Sequence, residues 1–372
     1  MRTRFRAGLV LALLLGPFAT AGQAQSLFGP ASIGGGVEGR RYEFEEGYVV
    51  HAIRQFAYPV ALLIPFGKRF SVDIGTAYAT TNVSDAVGRE SSFSGFTDTQ
   101  LRGSYVFGND RVVTSLMVNL PTGQETQSLK EFNVTSNVAS NFLLFPVNSY
   151  GNGFSATGGV AVAIPAGSWN VGVAGSLRLN SEYQPFSDPG STSVRYQPGL
   201  EGRIRAGADR LIGSSRLALG LTFSTFDNDQ FSGLATGTGR YSPGNRLIGE
   251  ANLTSPVGTG SITAYAWDFY RTAGENSAAT TSNKENVFTF GLSGGWPLGR
   301  TVQLQPLAEA RFWSPDEGSG QLYGAGAALR FTLSPKVVFA PGGRFDFGSI
   351  KQLGTSYSLT GWGFSGLLRY NF

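Results

Sequence analysis

Cysteine is absent from the 372 residues, and histidine occurs once. Without cysteine the chain has no disulfide framework, no thiolate metal site and no attachment point for a lipoprotein anchor. The lone His51 leaves metal binding to carboxylates, and no acidic loop has EF-hand spacing, so neither a metal nor a cofactor is expected. Nucleophilic hydrolysis needs a base beside a serine or carboxylate. The setting Val49-Val50-His51-Ala52-Ile53-Arg54 holds no nucleophile motif, so His51 reads as a rim or pore-lining residue and the chain as no enzyme. Gly34-Gly35-Gly36 is followed by no lysine and no strand-loop-helix unit, which excludes a phosphate loop. Long apolar runs are missing as well. Past residue 24 no stretch of about 18 apolar residues occurs, so ordinary membrane-spanning helices are excluded.

A surplus of one charge is missing too. Taking the arginines at 2, 4 and 6 from the 29 basic residues leaves 26 against 25 acidic ones, a formal charge of +1 on the remainder. Nothing in that balance points to a nucleic-acid partner. Arg2, Arg4 and Arg6 form a basic segment, Leu9 to Leu15 an apolar core, and Gly22-Gln23-Ala24 a small-residue cleavage site. Residues 1–24 therefore read as a secretory signal peptide, and 25–372 as a single domain.

What is present is alternation. The chain holds 52 glycines and 28 phenylalanines with a mean hydropathy of −0.04, the composition of strands that meet lipid on one face and a polar interior on the other. At the end of the sequence, Trp362, Phe364, Leu368, Tyr370 and Phe372 share one face of a strand, with Ser365, Arg369 and Asn371 on the other. Similar outward faces are Phe70/Val72/Ile74/Tyr78, Leu101/Tyr105/Phe107, Val112/Leu116/Val118/Leu120, Phe154/Val160/Val162/Ile164 and Trp169/Val171/Val173/Leu177/Leu179. Later come Leu217/Leu219/Leu221/Phe223, Tyr265/Trp267/Phe269, Phe288/Phe290/Leu292/Trp296 and Tyr323/Leu329/Phe331. Weaker candidates lie near 32–44, 50–65, 193–206, 246–253, 301–312 and 337–347, and the run Ile33–Gly39 reads equally as a plug or tether.

Connections alternate in length. Tight turns fall at 65–69, 108–110, 165–168, 209–215, 255–258, 297–300 and 334–336, and longer polar stretches at 80–92, 121–152, 182–193, 226–244, 272–285, 313–321 and 348–356. Seven tight turns with a strand at each end predict an all-β, transmembrane, antiparallel up-and-down barrel of about 16 strands, with 14 as the alternative. Transmembrane barrels keep tight turns in the periplasm, so the reading puts the chain in the bacterial outer membrane with both termini periplasmic.

The terminal strand resembles the closing strand of bacterial outer-membrane barrels, which implies that Phe372 is the signal read by the barrel assembly machinery. Gly95-Phe96-Thr97-Asp98-Thr99-Gln100-Leu101-Arg102-Gly103-Ser104-Tyr105 and Asn119-Leu120-Pro121-Thr122-Gly123-Gln124 resemble the outer-membrane transporters of the phenol meta-cleavage-pathway and fatty-acid type. Asn137 to Pro146 and Tyr150 to Phe154 are similar to the same group, so the resemblance covers about residues 93–160. It implies uptake of hydrophobic or aromatic compounds. The long N-terminal hatch of the fatty-acid transporters is not found.

The 121–152 stretch is the third external loop on this count, the one that narrows the pore in sixteen-stranded general porins. Phe142, Leu143, Leu144, Phe145 and Val147 form an apolar cluster in it that is costly in water and should fold inward as a constriction or cap the mouth. Val134, Val138, Phe142 and Phe145 recur at helical spacing, which allows a short amphipathic helix. Positions of opposite parity to the lipid face give pore-lining candidates: Asp73, Asp98, Arg102, Arg178, Arg195, Glu201, Arg203, Arg205, Arg246, Glu250, Asp268, Glu309, Arg311, Arg330, Arg344 and Asp346. Both signs are interspersed, which predicts cross-lumen ion pairs, while Arg195, Arg203 and Arg205 form a local positive excess that would favour anions. Gly172, Ala174, Gly324, Gly326 and Ala328 leave room inside. Trp169, Trp267, Trp296, Trp313 and Trp362 read as an interfacial girdle. The expected function is passive uptake of small, hydrophobic or aromatic molecules past the 121–152 loop. The alternatives are a closed structural or surface-interaction barrel and, last, a barrel enzyme. Lipid, the assembly machinery and a small solute are the expected partners, and an uncharged lipid face permits oligomers without demanding them.

Overall fold

The computed structural model describes residues 30–188, 194–234, 237–276, 281–282 and 284–372; the signal-peptide reading of 1–24 lies outside them. Sixteen antiparallel strands close into one barrel. They are β1 (Ser32–Phe44), β2 (Val50–Phe66), β3 (Phe70–Asp85), β4 (Glu90–Phe96 continued by Thr99–Phe107), β5 (Val112–Leu120), β6 (Ser155–Ala166), β7 (Trp169–Asn180) and β8 (Glu201–Ile212). The second half comprises β9 (Ser215–Phe226), β10 (Arg246–Val257), β11 (Gly260–Arg271), β12 (Glu285–Pro297), β13 (Val302–Pro315), β14 (Ser319–Thr332), β15 (Val337–Gln352) and β16 (Thr355–Asn371). Each strand pairs with its neighbours in sequence, and β1 pairs with β16 from Ser32↔Asn371 to Phe44↔Leu359. The Phe372 N–H adds a hydrogen bond to the Ala31 carbonyl at 2.9 Å, so the closing seam runs to the last residue. Closure leaves no unpaired edge for lipid to meet, which is what allows a sheet to span a bilayer.

Tight turns of two to four residues occupy one end of the barrel. Gly67, Gly167, Gly213 and Gly258 adopt φ of 66, 63, 60 and 59° in four of them, left-handed conformations that a hairpin needs and glycine adopts without strain. At the other end three stretches read as long loops are hairpin tips instead. The strands run on, leaving only 86–89, 316–318 and 353–354 as connections. Beyond the lipid both faces of a strand meet water, so alternation disappears there while the backbone ladder continues. β15 and β16 reach 16 and 17 residues for this reason, against the ~10 that a membrane crossing needs. The glycine-rich run at 33–39 is part of β1, neither plug nor tether.

The 193–206 candidate divides. Arg195–Gln197 belongs to a separate five-stranded sheet with Asp229–Leu234, Gly237–Ser242, Gly274–Asn276 and Thr281–Ser282, built on the connections after β7, β9 and β11. Tyr196 packs there edge-to-face against Tyr183 and tilted against Phe231, and its hydroxyl donates to Asp229 Oδ2 at 2.5 Å. Burial raises the Tyr196 hydroxyl pKa, and Asp229 raises it further.

Directly paired residues on neighbouring strands share a face, so one inward side chain fixes the parity around the wall. Tyr42 of β1 is buried against Phe145 of the 121–154 loop, which lies inside the barrel. Register then puts Ile53, Gln55, Thr81 and Phe93 inward as well. On the opposite parity Val160, Val162, Ile164, Leu219, Leu221, Phe223, Phe288, Phe290 and Leu292 are all exposed. So large an apolar surface is stable only in contact with lipid.

Candidate solute pathway inside the barrel

The 121–154 loop enters the lumen and is tied down at its base. Asp98 sits at a bulge of β4, where Thr97 to Thr99 face two residues of β3. Its carboxylate accepts from the N–H of Gly123 at 3.1 Å and of Asn152 at 2.8 Å, joining both limbs of the loop. A side chain at Gly123 would start 2.1 Å from the Tyr150 carbonyl oxygen, so only glycine lets the limbs approach. Asp98 is thus a loop fastening more than a free lumen charge. Past the base, α1 (Leu129–Val138) opens with a capping box: Ser128 Oγ accepts from the Glu131 N–H, and Glu131 accepts from the Ser128 N–H. Val134 and Val138 are buried as the spacing predicts, whereas Phe142 and Phe145 lie beyond the helix.

The apolar segment 142–147 is pinned by polar side chains of the wall. Gln55 of β2 donates to the Val147 carbonyl and accepts from its N–H, both at 2.8 Å. Tyr42 donates to the Leu143 carbonyl at 3.0 Å, Arg40 to the Leu144 carbonyl at 3.0 Å, and Arg311 of β13 to the Phe142 carbonyl. Asn141 donates to Glu285 at 2.9 Å, and Phe142 stacks on Trp313 at 5.6 Å. Leu144 takes a left-handed φ of 49°, rare for a branched residue. That turn lets Phe142, Leu143 and Phe145 all bury while Leu144 stays half-exposed. Tyr150 closes the cluster against Phe93, and its hydroxyl bonds Thr81 at 2.6 Å. Burial raises the Tyr150 pKa, and in the next loop it raises Tyr183 to about 12, with Glu125 adding to it.

This loop covers the inner wall from β13 through β16 to β4. Beneath it the charges form a ladder along the wall. Arg344 pairs with Asp346 at 2.5 Å and with Glu309 at 3.3 Å, and Arg311 with Glu309 at 2.5 Å. Tyr265 donates to Glu309 at 2.9 Å. Arg102 pairs with Asp73 at 2.8 Å, Arg203 with Glu201 at 2.6 Å, and Arg205 of β8 with Glu250 of β10. All of these pairs join positions on the same strand or within two strands, so they brace the wall instead of crossing the lumen. Gly324 and Gly326 do not widen the interior: a side chain at Gly324 would start 2.2 Å from Asp346 and 2.4 Å from Arg344, so glycine makes room for that network.

Register places Arg178, Glu201, Arg203, Arg205, Arg246, Glu250, Glu309, Arg311, Arg330, Arg344 and Asp346 on the inward face. Two candidates lie elsewhere. Arg195 is on the separate loop sheet, its guanidinium donating to Gln184 at 2.9 Å. Asp268 faces outward, because its neighbour Trp267 pairs with the inward Glu250. It lies near the loop end of β11, where Asn286 donates to it at 2.7 Å and a charge costs only ~0–1 kcal/mol. The same register corrects the face read as lipid-exposed on β11. Tyr265, Trp267 and Phe269 point into the lumen, and Ile262, Ala264 and Ala266 point out. Trp313 is also inward, so the girdle reading holds at most for Trp169, Trp296 and Trp362.

The wall from β7 to β11 carries arginines, glutamates and an aromatic row, with uneven exposure. There the side chains of Arg203 and the mid-height Glu250 are 48% and 34% exposed, whereas Arg205 is at 14% and Glu201, Thr222 and Ser224 are buried; Gln55 and Tyr42 under the loop are at 0%. No protein-family model and no curated protein matches the chain. Among solved structures it is similar to the CymD monoaromatic hydrocarbon channel, at 10% identity and TM-score 0.46, covering 93% of this chain and 89% of that one. A Pseudomonas aeruginosa FadL homologue matches at 9% and 0.45, over 92% and 90% of the two chains. An anion-selective porin from Comamonas acidovorans matches at 12% and 0.39, over 92% and 98%. Likeness at this level carries nothing about solute or mechanism.

Proposed function

We propose that this chain is a passive channel of the bacterial outer membrane, with its tight turns in the periplasm. Small solutes pass through the half of the lumen between the inward loop and the β7–β11 wall. The observation that carries this reading is the asymmetry of the interior: one half is sealed by segment 142–147, while on the other the side chains of Arg203 and the mid-height Glu250 remain 48% and 34% exposed. Sixteen strands enclose more space than side chains fill, and a loop packed on one side narrows it without closing it. The row Tyr265, Trp267 and Phe269, on the same wall as Arg203 and Arg205, favours solutes with an aromatic or other apolar part. Phe142, Leu143, Leu144 and Phe145 form the constriction, and the charged wall holds the aperture rigid.

Liposome swelling with a size series of sugars and aryl alcohols tests this reading. Deleting Asn141–Val147 should raise the permeation of the larger members. Equal permeation in a deletion variant that retains the heat-modifiable mobility of a folded barrel overturns the constriction, and no permeation in either protein favours a closed barrel.

A further inference from the structure

Resting on the channel reading, we infer that the loop-side lumen of β7–β11 is a binding site for aromatic carboxylates. Arg246 of β10 and Arg271 of β11 stand directly opposite each other. Like charges in that position destabilise a sheet; Glu285, directly opposite Arg271 on β12, offsets that guanidinium, while Arg246 has no carboxylate at ion-pair distance among the described residues. Arg178 and Arg203 lie within electrostatic range of Arg246. Against these four guanidiniums stand Glu201, which pairs with Arg203 at 2.6 Å, and Glu285, 3.4 Å from Arg271. Asp98 is near Arg178. Glu285 is already shared with the Trp313 indole and Asn141, and Asp98 with the two loop N–H groups. The balance stays positive. Arg246 Nε is buried and has no hydrogen-bond partner among the described residues.

What lies beneath defines the rest of the ligand. The Arg246 guanidinium sits over the Phe226 ring at 4.6 Å. The next inward layer toward the turn side is Ile248 opposite Phe269, and the one below it contains Trp267. Alternate inward positions are about 7 Å apart along a strand. A carboxylate held at the arginine layer therefore places an attached ring against Phe269 and Trp267. A neutral hydrocarbon would leave Arg246 without a carboxylate, and a simple inorganic anion would leave the aromatic layer unused.

The test is equilibrium titration of the folded full chain in detergent with benzoate, benzylammonium and acetate, alongside planar-bilayer conductance. Benzoate should bind at least about tenfold more tightly than either other probe, and Arg246→Gln should weaken it about tenfold. Arg178→Gln gives the same reading if Arg246→Gln fails to fold. Equal binding of benzoate and benzylammonium, or benzoate affinity unchanged in a folded Arg246→Gln or Arg178→Gln variant, overturns the site. Conductance without benzoate preference removes this inference and leaves the channel; benzoate binding without conductance removes the channel and leaves the site.

Discussion

Gln55 shows how much a single side chain carries in this barrel. It is buried in β2 and satisfies both backbone groups of Val147, as one residue of a sheet would satisfy another, while its amide also donates to Thr81 at 2.9 Å. Gln55→Leu leaves a buried N–H and C=O unpaired, a cost of about 1–3 kcal/mol for each group. The expected result is a folded barrel whose single-channel current fluctuates between the native level and higher ones as the segment lets go. A steady native current would show that Gln55 does not hold the loop. Nothing in the sequence marks Gln55, because a glutamine on a strand reads equally as rim, lumen or ladder. Asp98 and Arg311 were legible as inward charges, but their bonds to loop backbone depend on a chain crossing that spacing does not encode. Gly324 and Gly326 looked like empty space for the same reason: their room is filled from the neighbouring strand.

At the scale of elements, parity was legible wherever large side chains stood on the lipid face, as on β5, β7, β9 and β12. On β11 bulk misled. The large residues Tyr265, Trp267 and Phe269 face the lumen, and the outward Ala264 and Ala266 are small yet apolar enough for lipid. Asp268 reinforced the error, since a charge read as inward sits outside near the aqueous boundary. With no native cysteine in the chain, single cysteines settle the face directly. Trp267→Cys should react with a polar, membrane-impermeant maleimide, whereas Ala266→Cys should be protected in liposomes and, once labelled with a fluorophore, quenched by nitroxide lipids. The reverse pattern would invert β11 and remove the aromatic lining. The need to bury the loop was legible from its own composition, since five apolar residues in a polar stretch must fold inward or cap the mouth; the structure shows the first. Its helix was legible in part, because the pattern continues to Phe145 while the helix ends at Val138.

For the whole molecule, strand count followed from the tight turns, since each reverses the chain with recognisable Gly, Pro, Asn or Ser chemistry. The loop end was harder to read, because strands extend into water there without alternation. Closure rests on β16, whose outward face ends in Tyr370 and Phe372 with rings 5.2 Å apart. Removing Phe372 deletes one seam hydrogen bond and the terminal aromatic. Refolding into detergent should be nearly unchanged, while the amount assembled in the outer membrane of cells should fall several-fold. Equal assembly in cells would mean that the last residue is only a strand end.

A solvent-filled path beside the inward loop is what makes the barrel a channel. Single-channel conductance in planar bilayers, recorded for the chain and for the variant lacking Asn141–Val147, tests it most directly. The intact protein should show a steady, small conductance and the deletion variant a larger one. No current from the intact protein in its folded state, or the same current from both, would contradict it.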